Sequence, residues 1–180
     1  MRYIQEAQNI DGWMTPRELS YLRQIALSMP RGARVFEVGS WKGRSTVALA
    51  VDHINLTCVD TFEGSRGDIN RELAAVQDIE QIFHGNMARL GLNPTVWKLK
   101  SLEAASLIPD GILAGVFEDA DHGKAFRIHF YTWLRKVKRG GLYFGHDYCQ
   151  QFPHIMATLN NSQLKFAVLP HTSIWILRKP

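Results

Sequence analysis

Two stretches of the chain concentrate side chains that can do chemistry. Asp119, Asp121 and His122 follow one apolar run, and His146 and Asp147 follow another. If those runs are neighbouring strands, hard oxygen donors and imidazoles converge at one sheet edge. Such a set could hold a divalent cation such as Mg²⁺ with positions open to substrate oxygens. A structural reading of the same residues stays open: Asp119 and Asp147 cap helix starts, and His146 is a satisfied interior residue. The histidines at 53, 84, 129, 154 and 171 are most simply surface or core residues.

A second constellation starts at Glu37 and runs Glu37-Val38-Gly39-Ser40-Trp41-Lys42-Gly43-Arg44-Ser45-Thr46. Gly39 and Gly43 let the backbone turn tightly and approach a ligand, and the helix that follows offers free N–H groups, with Ser45 in its first turn. Twenty-one residues after Gly39 stands Asp60, at the end of the next apolar run. A carboxylate there can take both hydroxyls of a ribose. The dinucleotide pattern G-x-G-x-x-G is absent, because Trp41 and Lys42 fill the interval. Glu37 at a strand tip would repel a pyrophosphate but favour an ammonium or sulfonium group. S-adenosyl-L-methionine carries both cations, lacks phosphate, and offers a carboxylate to the helix N-terminus. A plain structural turn is the competing reading of the glycines, weakened by the position of Asp60.

The elements that must position these residues alternate along the chain. Thr15-Pro16-Arg17-Glu18 writes a helix start, with a capping Thr, a Pro at the first position and a Glu three residues on. Leu19, Leu22, Ile25, Ala26 and Met29 continue it until Pro30 and Gly32. Strands are expected at 34–38, 56–60, 95–99, 115–119 and 142–144, and helices at 44–51, 69–90, 102–107 and 124–138, with Gly140-Gly141 turning the chain between the last helix and strand. The helix over 69–90 is open to a break near Gly85. Such alternation predicts an α/β, Rossmann-like, doubly wound and mostly parallel sheet covered on both faces. The runs 165–169 and 173–177 are too close for a crossover helix, so they predict a C-terminal antiparallel hairpin. Ligands of such sheets bind beyond the carboxyl ends of the strands, where both constellations fall.

At 180 residues the chain suits one domain, with an N-terminal helical segment over 1–32 and the sheet-bearing core over 33–180. A hydrophobic fraction of 46% and a charged fraction of 21% are globular averages. No apolar run approaches a membrane span and the start lacks the apolar core of a signal peptide, so a cytoplasmic protein with no membrane partner is expected. Cys58 and Cys149 form no ligand spacing and read as free thiols. A net charge of +4 is less than a dedicated nucleic-acid binder shows. The basic cluster Arg135, Lys136, Lys138 and Arg139 lies at a helix end, where cations suit the dipole.

The segments FEVGSWKGRST, VDTFEG, FEDADHGKAF and GGLYFGHDY resemble, in order and spacing over residues 36–148, those of class I S-adenosylmethionine-dependent methyltransferases. The closest likeness is to small O-methyltransferases of the catechol and caffeoyl-CoA type and to related bacterial sugar and antibiotic methyltransferases. The resemblance implies the class I methyltransferase fold and the cofactor S-adenosyl-L-methionine. It places Glu37, Gly39 and Ser40 at the methionine end, Ser45 at its carboxylate, Asp60 at the ribose and Ser101 beside the adenine, and it counts Gly43 and Thr61 among the cofactor-binding residues. It implies Asp119, His146 and Asp147 as ligands of Mg²⁺ or another divalent cation, with Asp119 also reaching the cofactor side and counted with His122 as catalytic. His122 stands where the family has its general base, and an imidazole with a pKa near 6.5 suits that task. His146 replaces the carboxylate or amide that hard-metal sites prefer, so a cation-free variant using His122 alone stays open. Trp13 resembles an aromatic residue ahead of the family's first helix, beside the reading of a core tryptophan.

The expected acceptor is a hydroxyl of a small molecule or sugar, chosen by the N-terminal segment, the loop from Thr61 to Ile69 with Arg66 and Arg71 nearby, and the stretch after Tyr148. A homodimer is compatible with the sequence. The rival functions are an NAD-dependent oxidoreductase, a non-catalytic S-adenosylmethionine-binding module, and an RNA methyltransferase whose affinity would depend steeply on salt.

Overall fold

The computed structural model describes residues 2–64 and 69–180, with Arg2 and Ile69 described by backbone alone. Arg66 and the rest of residues 65–68 of the expected specificity loop lie outside the described residues.

Five strands form the parallel part of a seven-stranded sheet: β1 (Ala33–Val38), β2 (Ile54–Val59), β3 (Thr95–Trp97), β4 (Leu113–Glu118) and β5 (Val137–Gly145). β6 (Phe166–Val168) and β7 (Trp175–Arg178) complete it in the order β3-β2-β1-β4-β5-β7-β6. β1 pairs in parallel with β2 and β4, while β7 runs antiparallel to both β5 and β6. The hairpin closes one edge, as its spacing predicts.

Helices α1 (Arg2–Gln8), α2 (Pro16–Ser28), α3 (Arg44–Leu49), α4 (Ile69–Val76), α5 (Ile79–Arg89), α6 (Ser101–Ser106), α7 (Phe126–Lys136) and α8 (Pro153–Asn161) flank the strands. Two apolar cores result. Leu19, Leu22, Val47, Phe83, Cys58 and Phe117 belong to one, and Phe36, Val116, Phe130, Trp133, Ile155 and Trp175 to the other. Alternate residues of β1 and β4 feed opposite cores, which is why these central strands read as unbroken apolar runs.

Three local differences from the sequence reading have physical causes. The helix expected over 69–90 is two, divided at Gln77 and Asp78, where the Asp78 carboxylate accepts from Gln81 N at 2.9 Å and caps α5; Gly85 stays inside the helix. The pair Gly140-Gly141 lies within β5 rather than ahead of it: α7 stops at Lys136, the strand starts at Val137, and a register shift against β4 absorbs the glycines. α1 and α8 have short, weakly patterned sequences that the periodicity does not flag.

Candidate functional site

β1 delivers Gly39 and Ser40 to the sheet edge, and α3 begins five residues after Gly39. Gly39 has φ +91°, and a Cβ there would collide with the backbone of Asp119 at the tip of β4. Gly43 has φ +92°, and its missing side chain makes room for Met87 and Phe83. The turn is therefore closed from two sides and only glycine fits it.

Asp60, at the tip of β2, fixes the same turn. Its Oδ2 accepts from Ser40 N at 2.8 Å and Trp41 N at 2.7 Å, and its Oδ1 accepts from Phe62 N at 2.7 Å. The carboxylate on the cavity wall is thus already the organiser of the glycine turn, with lone-pair capacity remaining for a ligand hydroxyl.

Glu37 departs from expectation. It is fully buried beneath the turn and is not among the cavity-lining residues. Its oxygens accept from the hydroxyls of Ser40, Ser45 and Thr46 and from the Cys58 thiol. Burial pushes its pKa up while these donors pull it down. A strand alternates faces, so Glu37 points into the core while Val38 and Gly39 reach the edge; it supports Ser40 and Ser45 from below rather than lining the methionine end. Gly43 likewise faces the core side, against α5.

The second constellation assembles at the tips of β4 and β5. One ligand atom each from Asp119, His146 and Asp147 lies within 4.8 Å of the others. His146 Nδ1 is 2.9 Å from Asp147 Oδ1 and 3.7 Å from Asp119 Oδ1. His122 Nε2 is 3.0 Å from Asp147 Oδ2 and 3.7 Å from Asp119 Oδ1. Neither aspartate caps a helix, since α7 and α8 start at Phe126 and Pro153 without a side-chain cap. Asp147 has φ +64°, a left-handed conformation that a non-glycine residue keeps where its surroundings hold it.

The charges explain one another. Burial alone would lower the His122 pKa, but Asp119 and Asp147 outweigh it and raise it to about 10. Burial opposes protonation of His146 in the same way, yet Asp119, Asp147 and Glu18 raise it to about 11. Both imidazoles are therefore charged at neutral pH in this arrangement, not poised near 6.5. Asp147 is held far below the ordinary carboxylate range by the two histidines despite its burial, whereas burial pushes Asp119 up. Three carboxylates meet here, and protons on two histidines answer them. A divalent cation fits the same place chemically, because it would supply that positive charge while His146 gave up its proton to serve as a neutral ligand.

A single cavity of about 1040 Å³ joins the two constellations. Gly39, Ser40, Ser45, Asp60, Thr61, Ser101, Asp119, His122, His146 and Asp147 all line it. Ser101 Oγ accepts from Trp133 Nε1 at 2.8 Å. Trp13 is 59% exposed and lines the cavity 6.3 Å from the Trp41 ring, so it is not a core tryptophan. Asp11 to Thr15, Thr61, Glu63, Gly64, Arg71, Gln151 and Phe152 complete the wall, so all three segments expected to choose the acceptor reach it. Phe152 packs 4.8 Å from the His122 ring.

Two participants were not visible in the sequence pattern. Glu18, read only as a helix cap, lies with Oε1 3.1 Å from His146 Nε2. His129 lines the cavity with Nδ1 3.9 Å from Oε1 of the buried Glu118. Both sit on helices whose apolar spacing accounts for them without any site; only the fold shows which way they face.

A family model described as a methyltransferase domain matches residues 36–148. A search of curated protein sequences returns no match. Among solved structures, an O-methyltransferase from Bacillus cereus in complex with S-adenosylhomocysteine is similar with a TM-score of 0.67 at 15% identity, over 99% of this chain and 91% of that one. An S-adenosylmethionine-dependent O-methyltransferase from Thermotoga maritima gives 0.69 at 15% identity, over 98% of this chain and 71% of that one. An rRNA methylase from Streptococcus thermophilus gives 0.65 at 10% identity, over 94% and 99%. At these identities the structures share the fold, and no helix among the described residues is long and apolar enough to cross a membrane.

Proposed function

The chain belongs to the methyltransferase-domain family and is an S-adenosylmethionine-dependent methyltransferase, and we propose that it methylates a hydroxyl of a small-molecule or sugar acceptor. What carries this reading is the continuity of one cavity from the glycine turn to the Asp119, His122, His146 and Asp147 cluster. The glycine turn receives the nucleoside and its methionine portion. Ser40 and Ser45 face the methionine end, Asp60 and Thr61 the ribose, and Ser101 the adenine. This orientation directs the sulfonium methyl toward the β4 and β5 tips, which leaves the acceptor between the cluster, Trp13 and Phe152. The O-methyltransferases from Bacillus cereus and Thermotoga maritima, which share the fold, support an oxygen acceptor.

The chemistry needs an acceptor hydroxyl to lose its proton as its oxygen bonds to the methyl carbon and the carbon–sulfur bond breaks. A divalent cation held by Asp119, His146 and Asp147 would lower the pKa of that hydroxyl and, by taking up the carboxylate charges, return His122 toward its ordinary value near 6.5. The His122 imidazole receives the acceptor proton, with its Nε2 facing Asp147 Oδ2 at 3.0 Å. Asp147 holds the ring in place and stabilises the imidazolium that forms. Phe152 packs on the ring and limits the water that reaches it. The positive charge passes from the sulfonium to the His122 imidazolium as the neutral thioether and methyl ether form, which places it beside Asp147.

Calorimetric titration with S-adenosylhomocysteine, with and without Mg²⁺, tests the cofactor and the cation separately. His122→Ala should cut methyl transfer by about 10²- to 10⁴-fold while cofactor affinity stays within a few-fold. Asp60→Ala should do the opposite, weakening the cofactor by releasing both a ligand contact and the turn. Absence of S-adenosylhomocysteine binding by the wild-type chain would overturn the proposal.

A further inference from the structure

Glu18 makes more contacts than a helix cap requires. Its Oε2 accepts from Thr15 N at 2.8 Å and Thr15 Oγ1 at 2.9 Å, closing the capping box of α2. Its Oε1 turns the other way, accepting from Ser173 N at 3.1 Å and Ser173 Oγ at 3.2 Å and lying 3.1 Å from His146 Nε2. Ser173 Oγ in turn accepts from Asp147 N at 3.3 Å, on the residue held at positive φ. The whole residue is 5% exposed. A capping glutamate needs one oxygen near the N-cap backbone, and it usually stands in water at a surface helix end. Here the second oxygen is buried, charged and committed to two segments distant in sequence, the tip of β5 and the turn before β7.

The consequence is geometric. An imidazole has two nitrogens, and what one of them faces decides what the other can offer. In His146, Nε2 meets Glu18 Oε1 at ion-pair distance without hydrogen-bond alignment, and that contact leaves Nδ1 turned to Asp147 Oδ1 and Asp119 Oδ1, toward the cavity. We infer that Glu18 is a positioning residue of the active site: it fixes which nitrogen of His146 faces the reacting cluster and, through Ser173, the backbone of Asp147. This role rests on the reading of the Asp119, His122, His146 and Asp147 cluster as the reacting site. It also ties the cluster to the segment carrying Trp13 and Met14, because the same carboxylate closes the turn from which α2 starts.

The two jobs of Glu18 separate by mutation in the full chain. Gln is competent at the third position of a capping box, so Glu18→Gln keeps the cap and removes the charge facing His146. Thr15→Ala removes the capping hydroxyl and leaves the Ser173 contacts of Glu18 in place. Nitrogen-15 spectra of the His146 ring should move in Glu18→Gln and stay at wild-type positions in Thr15→Ala, while the Tm falls more in Thr15→Ala. Turnover in Glu18→Gln should fall about tenfold, in the range typical of lost outer-shell partners, with KM for S-adenosylmethionine unchanged within a few-fold. If Gln proves as destabilising as Thr15→Ala, Glu18→Asp withdraws the charge from His146 by one methylene and should move the same ring signals. Unmoved His146 signals in the Glu18 variants, or equal movement in Thr15→Ala, overturn the inference. Failure of the wild-type chain to bind S-adenosylhomocysteine would instead overturn the methyltransferase chemistry, and the ring spectra would still decide what Glu18 positions.

Discussion

Single residues here draw their properties from where the chain buries them. Glu118, the last residue of β4, is 2% exposed, and Tyr143 Oη donates to its Oε2 at 3.4 Å. Burial, with Asp121 adding repulsion, raises its pKa to about 8. The unfolded chain releases that proton near the ordinary value of 4.5, so between these limits the folded state holds a proton that the unfolded state has lost. The stability Glu118 gives is therefore complete below about pH 4.5 and is lost as pH rises through about 8, by an amount on the order of a few kcal/mol. Glu118→Gln should flatten the fall in urea midpoint across that interval; an unchanged slope would place the titration elsewhere. Cys58 offers a second check on burial. Burial and the nearby Glu37 push its thiol well above the ordinary range, while Cys149 is half-buried. A disulfide thiol reagent at pH 8 should label one thiol per native chain, at Cys149, and two after unfolding.

At the level of elements, the junction of β1 and α3 is the part most constrained by close approach. Gly39 holds a left-handed conformation against the backbone of Asp119. Gly39→Ala adds backbone strain on the order of 1–3 kcal/mol and pushes apart the tips of β1 and β4, one carrying the glycine turn and the other Asp119. A lowered Tm together with weakened S-adenosylhomocysteine binding is expected; full affinity at reduced Tm would show that the two tips tolerate separation. This junction was legible in the sequence, because glycines at 39 and 43 and an acid at 60 have few other uses at that spacing. The convergence of Asp119, His122, His146 and Asp147 was legible because each pair follows an apolar run that reads as a neighbouring strand. What could not be read was direction. Glu37 looked like a ligand group because it precedes the glycines, but strand alternation turns it into the core. Glu18 looked complete as a cap, and its second oxygen finds His146 and Ser173 only through pairing of distant segments. The pKa of His122 was equally hidden, since Asp147 stands 25 residues away in sequence.

Across the whole molecule, the sheet is the shared wall of two cores, and both sets of site residues hang from its strand ends. β1 and β4 supply alternate side chains to each core, with Val35 and Phe117 on one face and Phe36 and Val116 on the other. Neither face can lose its packing while the other keeps a sheet to pack on. The N-terminal segment is fastened to this frame as well: the Arg44 guanidinium donates to the carbonyls of Ile10 at 2.7 Å and Met14 at 2.9 Å, and Lys42 pairs with Asp11 at 2.8 Å. One cooperative transition is therefore expected, with tryptophan fluorescence, to which the buried Trp133 and Trp175 contribute, coinciding with far-ultraviolet circular dichroism through urea. Because the cavity opens at strand ends common to both cores, S-adenosylhomocysteine at about 100 times its Kd should raise the unfolding free energy by about 2.7 kcal/mol in both signals alike. A ligand shift confined to one probe, or two separated transitions, would mean that the cores unfold independently and that the cavity belongs to one of them alone.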